Sequence, residues 1–364
     1  MKILFHLGHP AHYHLFKNII KNLQKQEHTI FILIKKKDIL EDLLKESKFS
    51  YYNILPEGRK DNKFFIALGL IKQTLKVLLF SFKNKPNLLI GTSASIGPVG
   101  KILNIPSLNI QEDDAEIIPR YTKIAYPTSS YIIAPNVCSV GKFQGKKIGY
   151  EGYHELAYLH PKNFNPSIEI ANQYVDTSKP FYIIRFAKLT AHHDDGIKGI
   201  STSLAQKIIE RLTIYGNIYI TSERELEPQF EQYRIKINPI HMHHVINYAS
   251  MYLGDSQTMA AEAGVLGIPF LRINDFVGKI GYLKELEEKY KLGFGFFPTQ
   301  EKEILQKIDT LLNIPNLREH FQEIKKKMLE DKIDVAAFFT WLFDKYPNSV
   351  DYLKIEPTHI NSFK

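Results

Sequence analysis

The stretch from Ser250 to Asn274 constrains the fold of this chain more than any other. It reads SMYLGDSQTMAAEAGVLGIPFLRIN. An apolar strand at 251–253 leads into a small polar turn at 254–258 and then into a helix, and a Gly-Ile-Pro run separates that helix from a second apolar strand at 270–273. Strand, helix and strand in this order form the repeating unit of a parallel α/β sheet.

The turn at the start of that helix has the chemistry of an anion site. The N–H groups of a helix N-terminus bind phosphate without a basic side chain, and the hydroxyls of Ser256 and Thr258, on either side of Gln257, add donors. Glu262 follows one turn later on the same face, within reach of the diol of a ribose attached to those phosphates. The residues predict a nucleotide-diphosphate site at the carboxyl edge of the sheet. The alternative is ordinary scaffolding, in which Ser256 caps the helix and Glu262 is solvated.

Length and composition limit the class of protein. The 364 residues fit two domains of common size. A single cysteine, Cys138, supplies neither a disulfide framework nor a cysteine-rich metal site, which favours a reducing, cytoplasmic location. The apolar run at the N-terminus is too short for a secretion signal and is typical of a first buried strand.

Basic and apolar residues are interleaved in the segment 63–85. From Lys63 to Lys101 there are six lysines and no acidic residue. Because Lys72 and Lys76 interrupt the apolar run, the segment is not a transmembrane span. Two interpretations stay open, a helix on the anionic inner face of a membrane and a core helix with snorkelling lysines. Nucleic acid is not an expected partner, because no recognition motif accompanies the net charge of +8.

Alternating strand and helix patterns predict an α/β fold of two Rossmann-like, doubly wound domains that face a cleft. The strands expected in the first half are 2–7, 29–34, 87–90, 107–110 and 131–134, with helices at 14–26, 38–46, 64–82 and 95–103. The strands expected in the second half are 181–186, 217–221, 251–253 and 270–273, with helices at 203–215 and 243–249.

The pattern loosens between 149 and 179, which places the domain boundary there. We expect an N-terminal domain at 1–160, a linker at 161–179 and a C-terminal domain at 180–364. The helices from Glu301 onward are expected to complete the C-terminal domain.

Three segments carry a family resemblance. They are HPAHYHLFKN at 9–18, YEGYHELAYLHP at 150–161 and GDSQTMAAEA at 254–263. In sequence and order they resemble the GT-B superfamily of nucleotide-sugar enzymes, which includes glycosyltransferases and the non-hydrolysing UDP-N-acetylglucosamine 2-epimerase. More narrowly, they resemble a family of mostly bacterial and archaeal predicted glycosyltransferases catalogued as a domain of unknown function. The resemblance covers nearly the whole chain.

The resemblance implies a division of labour between the domains. The donor nucleotide is expected on the C-terminal domain, with diphosphate on Ser256–Thr258 and ribose on Glu262, and the acceptor on the N-terminal domain. The loop that contains His243 is expected to line the nucleobase pocket, with capping and packing as its alternative role. Enzymes of this kind work without a bound metal, so no cofactor is expected and the nucleotide sugar is the substrate.

The first βα loop and an acidic run supply candidate bases. Gly8 allows a tight turn at the binding loop, and the imidazoles of His9 and His12 titrate near neutrality, which suits removal of a proton from an acceptor hydroxyl. A hydrogen-bonded structural role is the alternative for each histidine, and a metal site is a further one. Asp113, in the acidic run 111–116, is a further candidate base.

Two arginines at strand ends are candidate phosphate ligands. Arg185 ends the first strand of the second domain, where a guanidinium can bind phosphate in bidentate fashion, or else form a salt bridge with Asp194 or Asp195. Arg272 has a similar position, with an interdomain salt bridge as its alternative role. The small residues of the 91–100 turn resemble a second anion or sugar cradle.

These observations predict a glycosyltransferase that moves a sugar from a nucleotide-diphosphate donor, expected to be UDP-linked, to an acceptor in surface-polysaccharide or glycolipid synthesis. The expected partners are the nucleotide sugar, a polysaccharide or lipid-linked acceptor and, through 63–85, a membrane surface. The alternatives are an epimerase or hydrolase of the nucleotide sugar and a non-catalytic binder. The lone Glu262 after Gln257-Thr258 departs from the epimerase pattern of paired glycines and two adjacent acids.

Overall fold

A computed structural model describes residues 1–36, 39–56, 63–188 and 199–364. The chain divides into two units: unit 1 comprises Met1–Asn163 and Lys332–Lys364, and unit 2 comprises Phe164–Asp331. Each unit contains its own parallel sheet flanked by helices. The predicted fold class, α/β with two Rossmann-like domains, is confirmed.

Unit 1 is built on a seven-stranded sheet. Its strands are β1 Lys2–Leu7, β2 Thr29–Lys35, β3 Tyr52–Leu55, β4 Leu88–Gly91, β5 Ser107–Ile110, β6 Tyr131–Pro135 and β7 Lys147–Tyr150. The helices that belong to unit 1 before residue 164 are α1 Pro10–Lys25, α2 Leu40–Glu46, α3 Lys63–Asn84, α4 Ile96–Leu103, α5 Pro119–Ala125 and α6 Leu156–Leu159. The strand order is β3-β2-β1-β4-β5-β6-β7, so the order reverses between β1 and β4.

Unit 2 is built on a five-stranded sheet. Its strands are β8 Phe181–Phe186, β9 Asn217–Ser222, β10 Met251–Gly254, β11 Phe270–Ile273 and β12 Gly293–Phe296. Its α-helices among the described residues are α7 Ile168–Ala171, α8 Thr202–Leu212, α9 Met242–Tyr248, α10 Gln257–Val265, α11 Gly281–Lys284, α12 Glu301–Leu312 and α13 Leu317–Asp331. The strand order is β12-β11-β10-β8-β9, so this sheet reverses between β8 and β10.

The last two helices correct the predicted domain limits. We expected the helices from Glu301 onward to complete the C-terminal domain, but α14 Val335–Asp344 and α15 Asn348–Ile355 belong to unit 1. The reason is the apolar surface of α14, which packs on α1 and α6. Phe343 lies 6.2 Å from the Phe5 ring of β1, and Phe339 lies 5.2 Å from the Tyr150 ring of β7.

A polar contact also joins the end of α1 to α14. His28, just after α1, lies 2.8 Å from the carboxylate of Asp344 through Nε2.

None of the described helices is both long enough and apolar enough to cross a membrane.

Candidate functional site

The second sheet places a glycine at its switch point. Gly254 ends β10 and pairs in register with Arg185 of the adjacent strand β8. A Cβ at this position would lie 2.5 Å from the Tyr252 hydroxyl and 3.0 Å from the Arg185 Cβ. Only glycine fits there without displacing its neighbours, and α10 begins three residues later. In open α/β sheets, ligands bind outside the carboxyl ends of the strands at such a point.

Helix α10 is buried except at its first turn. Ser256 is its N-cap and accepts a hydrogen bond from the Met259 amide at 3.4 Å. Ser256, Gln257 and Thr258 are half-buried, whereas the residues from Met259 to Val265 are buried. The predicted capping role of Ser256 is therefore present. The helix N-terminus reaches the surface at these three residues, and their contact with a diphosphate stays a prediction.

The structure brings together two of the predicted binding residues. Glu262 on α10 is 5% exposed and His243 on α9 is 3% exposed, and His243 Nε2 lies 2.9 Å from Glu262 Oε1. The alternative of a solvated Glu262 is therefore wrong. A hydrogen bond of this kind fixes the orientation of a carboxylate. The ring of Phe164 lies 6.3 Å from the His243 ring and encloses the pair further.

Asp255, in the turn between β10 and α10, is a buried carboxyl that the sequence analysis did not single out. It is 1% exposed and accepts a hydrogen bond from the Ala187 amide at 2.6 Å. Burial raises the pKa of Asp255 to about 6, although the hydrogen bond from Ala187 opposes this shift. Asp255 therefore ties the end of β8 to the turn that leads into α10.

Arg272 has a structural role instead of either role predicted for it. Its guanidinium is fully buried and forms a bidentate pair with Glu287, at 2.8 and 3.1 Å. It also donates to Asn274 Oδ1 at 3.0 Å, and Asn274 in turn donates to the Asp255 carbonyl at 3.0 Å. Both carboxylate and guanidinium belong to unit 2, so the pair is not an interdomain bridge. The network links β11 and the helical segment that contains Glu287 to the turn after β10, because Asn274 joins the Arg272 guanidinium to the Asp255 carbonyl.

The guanidinium of Arg185 forms an ion pair with a residue that follows the adjacent strand β9. It pairs with Glu223, which also accepts a hydrogen bond from the Lys188 amide at 3.2 Å. The predicted alternative partners, Asp194 and Asp195, lie outside the described residues. Phosphate binding by Arg185 stays a prediction.

The loop after β1 in unit 1 is held by histidines. His9 caps α1 and accepts from the Ala11 amide at 3.2 Å, and the Gly8 amide donates to His12 Nδ1 at 3.0 Å. The hydroxyl of Thr92 lies 2.7 Å from the same nitrogen. Burial is the main cause that lowers the pKa of His12 well below its usual value, so the ring is neutral.

These contacts give both candidate bases hydrogen bonds within unit 1. Because a backbone amide can only donate, His12 Nδ1 is an acceptor and the ring proton resides on Nε2. The loop histidines thus join β1 to the turn after β4. The roles of His9 and His12 as general bases, and of Gly8 in ligand binding, stay predictions.

A buried acidic cluster lies at the carboxyl end of β5, where the sequence analysis selected Asp113. Asp113 is half-buried, whereas Glu112 and Glu155 are 7% and 2% exposed. Glu112 accepts from the His154 amide at 2.6 Å and lies 3.1 Å from His154 Nδ1. Burial, reinforced by the charge of Glu155, raises the pKa of Glu112 well above its usual value. Burial lowers the pKa of His154 to about 3.

Two sequence signals pointed toward this cluster. Glu112 follows β5 by only two residues, at the edge where functional side chains of a parallel sheet collect. His154 and Glu155 belong to the segment 150–161, one of the three that carry the family resemblance. A carboxyl whose pKa is raised holds its proton to higher pH and can donate it to a substrate.

The predicted cradle after β4 is occupied by protein contacts. Gln73 of α3 donates to Ser93 and to Ser95, each at 3.0 Å, and Thr74 donates to Ser95 at 3.1 Å. Ser93 and Ser95 are 8% and 0% exposed. Their hydroxyls anchor the turn to α3 instead of facing an anion or sugar.

Within the described stretches of chain, no group of three or more histidine, cysteine or acidic side chains is arranged to hold a metal ion.

Comparisons with protein families and with solved structures agree with the architecture described above. A family model described as "Protein of unknown function (DUF354)" matches residues 1–282. No curated protein matches the chain in sequence.

Three solved structures illustrate the fold similarity. UDP-GlcNAc 2-epimerase from Neisseria meningitidis, bound to UDP-GlcNAc, has a TM-score of 0.63 at 14% identity, with 89% of this chain and 94% of that one covered. The spinosyn forosaminyltransferase SpnP has a TM-score of 0.65 at 14% identity, with 92% and 96% covered. The complex of S. aureus MnaA with UDP has a TM-score of 0.63 at 12% identity, with 90% and 95% covered. Their common fold is that of GT-B enzymes.

Proposed function

Since the chain belongs to the DUF354 family and has the GT-B fold, we propose that it is a glycosyltransferase that moves a sugar from a UDP-linked donor to a surface-polysaccharide or glycolipid acceptor. The observation that carries this proposal is the surface-facing start of α10 at the switch point of the second sheet, one turn before the buried pair of Glu262 and His243.

Unit 2 binds the donor in this proposal. The first-turn amides of α10 and the hydroxyls of Ser256 and Thr258 donate to the diphosphate, and the helix dipole favours its negative charge. Glu262, oriented by His243, accepts hydrogen bonds from the ribose hydroxyls. Two of the solved structures with this fold contain UDP or UDP-GlcNAc, which supports a uridine nucleotide as the donor.

The transfer step follows from this arrangement. The acceptor hydroxyl loses its proton to a base and forms a bond to the anomeric carbon of the sugar, while the bond from that carbon to the diphosphate breaks. The electron pair of the broken bond goes to UDP, whose charge the α10 N-terminus stabilises as it develops. We propose that unit 1 binds the acceptor, with Asp113, His9 and His12 as the candidate bases. Each histidine can accept a proton only at Nδ1, after the hydrogen bond from its loop amide opens.

Binding of UDP tests the donor site. Isothermal titration of UDP should give at least about a tenfold weaker Kd for Glu262→Gln than for the wild type, about 1.4 kcal/mol. The double variant Ser256→Ala/Thr258→Ala should weaken binding as well. The control is Asp309→Asn, which removes a half-exposed ion-pair partner of Arg211 in the same unit. Equal UDP affinity in all four proteins would refute the donor site.

Release of UDP tests the reaction. Incubation of the wild type with nucleotide sugars and with lipid-linked or polysaccharide acceptors should release UDP only when both substrates are present. Tight UDP binding with no turnover over a broad panel would leave a non-catalytic binder as the function.

A second candidate, an epimerase or hydrolase of the nucleotide sugar, is favoured by the raised pKa of the buried Glu112, because a carboxyl that holds its proton to higher pH can donate it to a sugar carbon. This function predicts turnover with no acceptor. Proton NMR of the donor alone, in deuterated buffer, would reveal deuterium at a sugar carbon for an epimerase and free sugar for a hydrolase.

A further inference from the structure

Helix α3 exposes a continuous stripe of large apolar side chains. The α3 stripe consists of five residues that are 45 to 69% exposed, Leu68, Ile71, Leu75, Leu79 and Phe82. At 3.6 residues per turn they fall within an arc of about 80° and extend over about 21 Å of the helix. These residues form one continuous apolar strip along the helix. Single exposed apolar residues would need no explanation, but a continuous strip does.

The same helix satisfies its packing with its other side. Gln73, Val77 and Ser81 are buried and face the first sheet and the turn after β4. Packing in unit 1 therefore does not account for the α3 stripe. A helix with a buried inner side and an apolar outer side is expected where a second surface covers the outer one.

Exposed lysines border the α3 stripe along one edge. Lys72, Lys76 and Lys83 are exposed, and their positions on the helix fall within an arc of about 40° next to the apolar residues. No acidic residue occurs from Lys63 to Lys101. The combination of an apolar stripe and a cationic edge complements a surface that is apolar inside and anionic at its boundary.

The charge distinguishes between two occupants. A second copy of this helix would offer its lysine edge no carboxylate from residues 63–101, whereas an anionic lipid surface offers phosphates. We propose that the α3 stripe lies on an anionic lipid surface, with the helix in the plane of the membrane, its apolar side chains at the acyl boundary and its lysines at the lipid phosphates. This inference does not rest on the catalytic proposal.

Cosedimentation with vesicles tests the proposal. The wild type should bind vesicles of phosphatidylcholine mixed with phosphatidylglycerol and bind pure phosphatidylcholine at least about tenfold more weakly. The variant Leu75→Ser/Leu79→Ser/Phe82→Ser should lose binding to both. Lys72→Gln/Lys76→Gln/Lys83→Gln should lose the preference for the anionic vesicles.

Two matched controls separate this surface from general stickiness. Ile214 and Ile355 are 80% and 83% exposed, one in each unit, and Ile214→Ser and Ile355→Ser should bind vesicles like the wild type. Circular dichroism melts should be equal for all variants, because every substituted side chain is exposed.

Three results would overturn the proposal. They are no binding of the wild type to anionic vesicles, equal loss of binding in the isoleucine controls, and self-association of the wild type in sedimentation equilibrium that the serine variant abolishes without any vesicle binding. The last result would assign the α3 stripe to a second copy of the chain.

Discussion

Among single residues, the buried carboxyl of Asp255 makes stability depend on pH. Its pKa is raised from 3.8 to about 6, so the folded protein keeps this proton at a pH where the unfolded chain has lost it. The stabilising contribution is complete below about pH 4 and disappears as pH rises through about 6. Relative to Asp255→Asn, the wild type should lose about 3 kcal/mol of unfolding free energy over this range. Urea unfolding at several pH values measures it, and parallel curves for the two proteins would contradict it.

The pairing of His243 with Glu262 predicts an indirect effect on nucleotide binding. Because His243→Ala leaves a buried carboxylate without this partner, we expect a loss of about 1–3 kcal/mol in stability and a weaker Kd for UDP. His244→Ala is the matched control on the same helix, since His244 accepts a hydrogen bond from the Ser167 amide. The control should lose stability but keep UDP affinity. Titration of UDP into both variants decides the matter, and an equal loss of affinity would indicate general loosening of α9.

Side-chain partners were the part of the site that sequence patterns could not supply. The turn 254–258 and Glu262 are recognisable because a strand end, small polar residues and a helix start follow one another along the chain. The partner of Arg272 is Glu287, fifteen residues away and beyond the strand, and nothing in a local pattern specifies that contact. Asp113 and Glu112 are adjacent in sequence, and only the packing around β5 decides which of them is buried.

Among the secondary-structure elements, the cap of α10 allows stability and ligand binding to be separated. Aspartate caps a helix as well as serine does, but its charge would repel a diphosphate. Ser256→Asp should therefore unfold like the wild type within about 0.5 kcal/mol and bind UDP much more weakly, whereas Ser256→Ala should lose about 1 kcal/mol of stability.

The control for this prediction is Ser201→Asp, at the N-cap of α8, where Ser201 accepts from the Leu204 amide. It should affect neither stability nor UDP affinity. Unchanged UDP affinity in Ser256→Asp would remove the α10 N-terminus from the donor site.

Buried strands were predicted well, whereas three of the four edge strands of the two described sheets were missed. The limits of β1, β5, β8 and β11 match the predicted ones, and each of these strands is buried over all or nearly all of its length. The strands β3, β7 and β12 were missed. Each lies at the edge of a sheet and has a single buried residue, so its hydrophobic pattern is weak.

At the scale of the whole molecule, the contribution of α14 to unit 1 can be measured. Phe339 is fully buried against Tyr150, and Phe339→Ala should lose about 3–5 kcal/mol. Amide exchange should rise within 1–163 and 332–364 and stay unchanged in unit 2. Phe270→Ala, a fully buried change in β11, should give the opposite distribution. Increased exchange throughout the protein in both variants would mean that the two units unfold together.

The return of the chain into unit 1 after Asp331 also determines the order in which the two units can complete their cores during synthesis on the ribosome. Unit 2 is a single uninterrupted segment of the chain, so all strands of the second sheet have been synthesised before the chain returns to unit 1. The first sheet emerges earlier, yet the face of α1 that receives α14 remains open until α14 itself has been translated. The half of the protein that is made first is therefore the half whose hydrophobic core is completed last.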